Sequence, residues 1–385
     1  MRRKLFGGVR LAILLLAGGN IAVASTAPEA GEKRKIEIEL RLMFWAVAAG
    51  ADDLPSGTPA PTPQVEDVQD LFLRRGRLIL KAQASPRLEI YAQLGQDNVG
   101  SKVLRDDAGF RIKDLYVNYK RADALQLMVG QFKVPFLRQN LESGFNQLLV
   151  DRAALTALRP ALEGSRDQGG MAWGSRGGFQ YRVAAFDGSD QEDSNSASSL
   201  RGSARVSWNW FTPETGPGYT GTSIGEKRIL QVGAQADAQN HRLDSRDDAG
   251  FTGLSRAYRA WAADLFYDQP FAGAWALTFE GAWLERRDDY DGPGVETREI
   301  GGYYAQAGLL LPGHLGPGRL QVVARFEDLD SGRGTVTSGV RSRAAGLTYF
   351  GKGHGRKIQL DYTERRERPA DLDNDEIRLS LITVF

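Results

Sequence analysis

The chain has no cysteine, and only three of its 385 residues are histidine. The first absence removes disulfide frameworks, Cys-ligated zinc, iron–sulfur clusters and thiol nucleophiles together. The second leaves little material for metal ligation or proton transfer. No sign of charge dominates either. Lys and Arg total 49 against 48 Asp and Glu, a formal net charge of +1, whereas a nucleic-acid partner calls for a basic face. Long apolar runs are missing too, and the mean hydropathy is −0.37. A helical membrane protein needs about 20 consecutive apolar residues per span, so that class is excluded while other ways of meeting lipid stay open.

What is present begins at the N-terminus. Arg2, Arg3, Lys4 and Arg10 lead into the apolar Leu11-Ala12-Ile13-Leu14-Leu15-Leu16-Ala17, and Ala22-Val23-Ala24 follows. This is the pattern of a secretory signal peptide with an Ala-x-Ala cleavage site, and the apolar run is too short for a membrane anchor. Residues 1–24 are expected to be removed and residues 25–385 to form one domain. Cleavage takes away four positive charges, which leaves 45 basic against 48 acidic residues and a net charge of −3.

From Ile36 onward the recurring signal is period two. Ile36, Ile38, Leu40, Leu42 and Phe44 alternate with Glu37, Glu39, Arg41 and Met43. The same holds for Ala204, Val206, Trp208 and Trp210, for Leu320, Val322, Ala324 and Phe326, and for Ile377, Leu379, Leu381 and Phe385. These pieces are about twice the usual 5–6 residues of a globular strand and match the roughly 9–11 residues of a tilted membrane strand. Sixteen such segments can be placed, at about 36–46, 70–83, 86–97, 110–120, 124–133, 168–175, 178–187, 200–211, 227–240, 257–268, 274–287, 299–312, 317–328, 341–350, 355–366 and 375–385. Long connections follow the odd-numbered segments and short ones follow the even, as in an outer-membrane barrel with short periplasmic turns. Thr212 to Glu226 breaks the rule: it is long and rich in Gly and Pro on the short-turn side. Either that turn is extended or the strand count slips there. A soluble propeller or solenoid is the competitor, but no fixed-period repeat supports it.

The fold class expected is therefore all-β, a 16-stranded antiparallel transmembrane β-barrel. A closed barrel is the only sheet that pairs every backbone group in lipid, and its wet interior keeps the average polar. Aromatic residues near strand ends are expected to form the interfacial girdles: Phe44, Trp45, Trp208, Trp210, Trp275, Trp283, Tyr303, Tyr304 and Tyr349. Alternation also sorts the charges. Arg41, Arg75, Arg77, Lys81, Arg182, Arg205, Arg325, Lys357, Arg365 and Arg378 are expected to line the lumen opposite Glu37, Glu39, Glu89, Asp114, Asp237, Glu280, Asp361 and Glu376. Basic rings favour anions; the competing reading is that opposed charges pair along the wall and stiffen it.

Leu115 to Asp190, about a fifth of the chain, resembles the phosphate-selective porin O/P family of Gram-negative outer membranes. The residues are Val129-Gly130-Gln131-Phe132-Lys133-Val134-Pro135-Phe136, Asp151-Arg152-Ala153, Arg166-Asp167-Gln168-Gly169-Gly170 and Ala185-Phe186-Asp187-Gly188. The terminal Phe385 looks like a barrel-assembly signal. The resemblance implies a homotrimeric channel in lipid and lipopolysaccharide that admits small anionic solutes such as phosphate, with an inward-folded third outer loop. That loop would be Lys133 to Asp167, and its candidate constriction residues are Lys133, Arg138, Arg152, Arg159 and Arg166 against Glu142, Asp151, Glu163 and Asp167. A general or cation-tolerant channel, or a non-channel barrel acting as an enzyme or as the scaffold of a surface complex, is the alternative.

Other constellations carry less. Asp371 to Glu376 looks like the start of a calcium loop but lacks the glycine and terminal glutamate at the required spacing. The acidic clusters at Asp247-Asp248 and Asp288-Asp289-Asp291 read as loop polarity. His241, His314 and His354 fall in three different connections, with no serine or carboxylate assignable to them. No enzyme activity, cofactor or metal is expected.

Overall fold

The structure is a computed structural model that describes residues 35–50, 68–104, 109–158, 165–188, 199–243, 255–290, 297–330, 339–368 and 374–385. The expected signal peptide, Arg159 and the acidic clusters at 247–248 and 371–373 lie outside those residues. Sixteen strands close into one barrel. They are β1 (Lys35–Ala49), β2 (Val68–Ser85), β3 (Leu88–Val99), β4 (Arg111–Ala122), β5 (Leu125–Lys133), β6 (Arg166–Arg176), β7 (Phe179–Phe186) and β8 (Arg201–Asn209). The second half is β9 (Ile229–Leu243), β10 (Ser255–Pro270), β11 (Ala276–Tyr290), β12 (Arg298–Leu310), β13 (Arg319–Asp330), β14 (Gly339–Lys352), β15 (Arg356–Arg368) and β16 (Glu376–Val384). Each strand pairs antiparallel with its sequence neighbours, and β1 closes on β16 with Arg41 opposite Val384 and Ala49 opposite Glu376.

Every expected strand is present, and the irregular connection is explained. β8 ends at Asn209 and β9 starts at Ile229, so residues 210–228 form an extended turn and the strand count does not slip.

The two faces of the wall invert the pattern of a soluble protein. On β15, Lys357, Gln359, Asp361 and Thr363 are at most 3% exposed, while Ile358, Leu360 and Tyr362 are 43–45% exposed. Buried polar and exposed apolar residues on alternate positions mean a polar interior and a lipid-facing exterior. Tracing the ladder around the outside gives Leu309, Val322, Leu347, Leu360, Leu379, Ala46 and Leu71 as successive direct partners. That row is part of the apolar band.

Two of the bulges in the wall re-aim charged side chains. Between Met43 and Phe44 of β1 the pairing skips a residue of β2, which sends both Arg74 and Arg75 toward the interior side, where each meets Asp151. A second bulge on β4 leaves both Lys113 and Asp114 buried. An inserted residue re-aims side chains in this way, so a period-two reading that named Arg75 passed over Arg74. The girdle needs correction as well. Trp208, Trp210, Trp275, Trp283 and Tyr303 are exposed, but Trp45 and Tyr304 are each 2% exposed on interior positions, because their neighbours Phe44 and Tyr303 take the outward ones.

Candidate functional site

The connection from β5 to β6 carries a short helix, α1 (Arg138–Leu141), and a 3-10 turn at Ala154–Ala157. Its hydrogen bonds reach β1, β2, β9, β10, β11, β13, β14 and β15. The Arg138 amide donates to Asp264 of β10 (3.1 Å), and Gln139 Nε2 donates to Glu280 of β11 (3.3 Å). The Ala154 amide donates to Glu327 of β13 (2.6 Å), and the Val150 amide to Asp361 of β15 (2.9 Å). In return, the Leu148 carbonyl accepts from Thr348 of β14, Ser143 Oγ from Arg41 of β1, and the Gly144 carbonyl from Arg75 of β2. Its apolar residues follow the same course. Phe136, Leu137 and Leu155 pack with Trp173, Phe186 and Leu284, and Phe145 and Val150 with Met43, Trp45 and Phe72. Leu137, fully buried, takes φ 63°. A β-carbon in that region costs about 1–3 kcal/mol, and surrounding packing must hold it.

Arg138, at the start of α1, is fully buried and sits between two rings, 3.8 Å above Phe266 and 4.3 Å from Tyr219. Its Nη1 donates to Glu214 Oε2 and Gln231 Oε1 (both 2.6 Å), and its Nη2 to Glu214 Oε1 (3.0 Å), a two-pronged pair. Burial opposes the charge of Arg138, but Glu214, followed by Glu142 and Tyr219, together more than offset it and hold the guanidinium protonated. Glu142 lies 3.2 Å from Arg138 Nε. Burial, and then the charge of Glu280, push the Glu142 carboxyl well above the usual carboxylate range, so Glu214 is the chief counter-ion.

Glu214 and Tyr219 belong to the extended turn, residues 210–228. Tyr219 bridges to Glu142, and the Thr220 carbonyl accepts from Asn146 Nδ2 (3.1 Å), so the turn docks on the β5–β6 connection. The Tyr219 hydroxyl accepts from Arg182 Nη1 (2.9 Å) and Arg205 Nε (3.3 Å) and donates to Gln180 (3.0 Å). Burial alone would raise this phenol, but Arg182, Arg205 and Arg138 together bring it down to about 8. At the far end of the turn, His354 Nε2 lies 2.8 Å from the Thr222 carbonyl, and burial followed by Lys357 lowers that ring to about 4.

Comparison with known proteins decides the family. A profile described as "Phosphate-selective porin O and P" matches residues 59–383. The chain belongs to this family. Among solved structures of the same fold, the porin resembles the outer membrane channel DcaP of Acinetobacter baumannii, with 13% identity and a TM-score of 0.58 over 91% of this chain and 97% of that one. It also resembles an anion-selective porin from Comamonas acidovorans, with 11% identity and a TM-score of 0.54 over 92% and 100% of the two chains. An uncharacterized protein of Aquifex aeolicus is 26% identical over 272 residues, 66% of this chain, and the match spans 62% of that relative's length. Family and fold thus point to an outer-membrane β-barrel channel rather than an enzyme.

Most of the basic residues named from sequence stand beside a carboxylate. In this porin Arg41 pairs with Glu39 (2.7 Å), Arg75 with Asp151 (3.4 Å), Arg77 with Asp97 (2.6 Å) and Arg166 with Asp114 (2.7 Å). Arg205 pairs with Asp264 (2.5 Å), Arg325 with Glu327 (2.7 Å) and Arg378 with Asp361 (3.2 Å). Lys81, partly exposed, lies opposite Glu37 and Tyr91 in the ladder. Lys133 and Arg166 close β5 and open β6, so they face each other at strand ends and flank the connection. Arg152 is within it. Lys133, Arg152, Arg182 and Lys357 make no carboxylate pair among the described residues. They donate to backbone carbonyls: Lys133 and Arg152 to Glu142, Lys357 to Gln147, and Arg182 to Gly216 and Pro217. Arg74, Arg201 and Tyr219 were not named from sequence. The first was hidden by its bulge. Arg201, paired with Asp237 at 3.0 Å, falls on the interior positions of β8 and was within reach of the alternation rule.

Proposed function

We propose that the protein is a trimeric, anion-preferring channel of the Gram-negative outer membrane, exported with a cleaved signal peptide at Met1–Ala24 and passing phosphate or related oxyanions. In this reading the segment between Lys133 and Arg166 lies across the lumen as the constriction. Arg138 and Arg152 stand on it, Arg159 falls in its remainder, and Lys133 and Arg166 stand at its base. Arg41, Arg75, Arg77, Lys81, Arg182, Arg205, Arg325 and Arg378 line the path. The observation that carries the reading is the set of interior cations without a carboxylate, Lys133, Arg152, Arg182 and Lys357. Among the described residues their donors meet only backbone carbonyls or other neutral acceptors, so no carboxylate there cancels the positive charge they carry, and pore selectivity follows the sign of the charges that line it. The many paired arginines support a second reading, a weakly selective general channel with a stiffened wall.

Deleting Gln139 to Ala161 and recording in planar bilayers tests the constriction. Conductance should rise and selectivity weaken. Unchanged conductance would remove this segment from the path.

A further inference from the structure

Glu214 sits where a soluble anion would sit. Its two carboxylate oxygens take both terminal nitrogens of Arg138, the geometry by which a guanidinium grips a phosphate. Beside it, Arg182 is 1% exposed, its Nη2 meets only the neutral carbonyls of Gly216 and Pro217 (each 3.1 Å), and its Nε has no partner among the described residues. A carbonyl oxygen offers a guanidinium only a partial negative charge, whereas an oxyanion offers a full one, so these carbonyls satisfy Arg182 less well than an oxyanion would. Three acceptors of one short stretch, Glu214 to Pro217, thus cover two arginines of the interior. That stretch, Thr212-Pro213-Glu214-Thr215-Gly216-Pro217-Gly218, belongs to no strand, and the Glu214 side chain keeps 11% exposure where Arg138 keeps none.

We propose that the 210–228 turn is a tethered internal competitor: its Glu214 carboxylate and Gly216 and Pro217 carbonyls occupy an oxyanion subsite on Arg138 and Arg182, which inorganic phosphate takes by displacing the turn. The proposal rests on the channel reading above, which supplies the solute. A tethered group competes at an effective concentration in the millimolar range, so half-displacement falls at millimolar phosphate when phosphate and the tethered groups bind the arginines equally well.

The test is phosphate binding to the full-length protein in detergent by calorimetry, alongside phosphate block of chloride current in bilayers. Glu214→Gln should lower the phosphate dissociation constant and the half-blocking concentration about tenfold. Arg182→Gln, which leaves the Arg138–Glu214 pair in place, should raise both. In the wild type, phosphate should speed hydrogen exchange at Gly216 and Gly218. Equal phosphate affinity in wild type, Glu214→Gln and Arg182→Gln overturns the subsite. Silent bilayers with the expected calorimetric shifts would sink the channel reading and leave the subsite standing. Conducting bilayers with no phosphate response in any variant would do the reverse.

Discussion

Arg138 shows how one side chain joins two segments that are remote in sequence. It gathers Glu214, Gln231 and the rings of Tyr219 and Phe266, and none of these pairings is readable from its own neighbourhood. Sequence periodicity tells which way a residue points. It does not give the partner, because that depends on how a connection crosses to other strands. Tyr219 is the clearest case: nothing marks it in the chain, yet three arginines surround it. Its phenol, at about 8, is neutral at pH 7 and becomes a phenolate as pH rises through that value. The added negative charge beside Arg138, Arg182 and Arg205 should weaken anion preference. Reversal potentials in a salt gradient should therefore shrink between pH 7 and pH 9 in the wild type and stay flat in Tyr219→Phe. An equal pH response in both proteins would clear the phenol of any part in it.

Among the elements, strands were legible almost to their ends and connections were not. The strand pattern survives because successive positions alternate between lipid and the interior for eight residues or more. Bulges, which obey local crowding, put Arg74 beside Arg75 without a sequence signal. Glycine and proline flagged 210–228 as exceptional but could not say where it docks. Gly221 shows what those glycines do. It takes φ +72°, and a β-carbon there would meet the Asn146 carbonyl at 2.8 Å. Gly221→Ala should thus cost about 1–3 kcal/mol at the contact between the turn and the β5–β6 connection, and the barrel should stay intact. Limited proteolysis should show new cleavage within residues 212–226 in a protein that still migrates as a folded barrel. Wild-type resistance in the variant would mean the contact yields without undocking.

On the scale of the whole molecule, a cysteine-free, charge-balanced chain with no long apolar run becomes a lipid-embedded barrel by alternating its faces. Leu360 lies between Leu347 and Leu379 on the outside, next to the buried Gln359. An arginine on the lipid face near mid-bilayer costs about 2–4 kcal/mol, so Leu360→Arg should destabilise the folded barrel by that amount in urea titrations from liposomes. A neutral outcome would contradict the assigned faces. The near balance of charge has a structural meaning too, since most interior arginines hold a carboxylate partner, and the selectivity proposed rests on the few that do not. The most direct measurement is the zero-current potential of the reconstituted protein in a tenfold potassium chloride gradient at pH 7. The account predicts the sign of a chloride-preferring pore, and a potassium-preferring potential would contradict it.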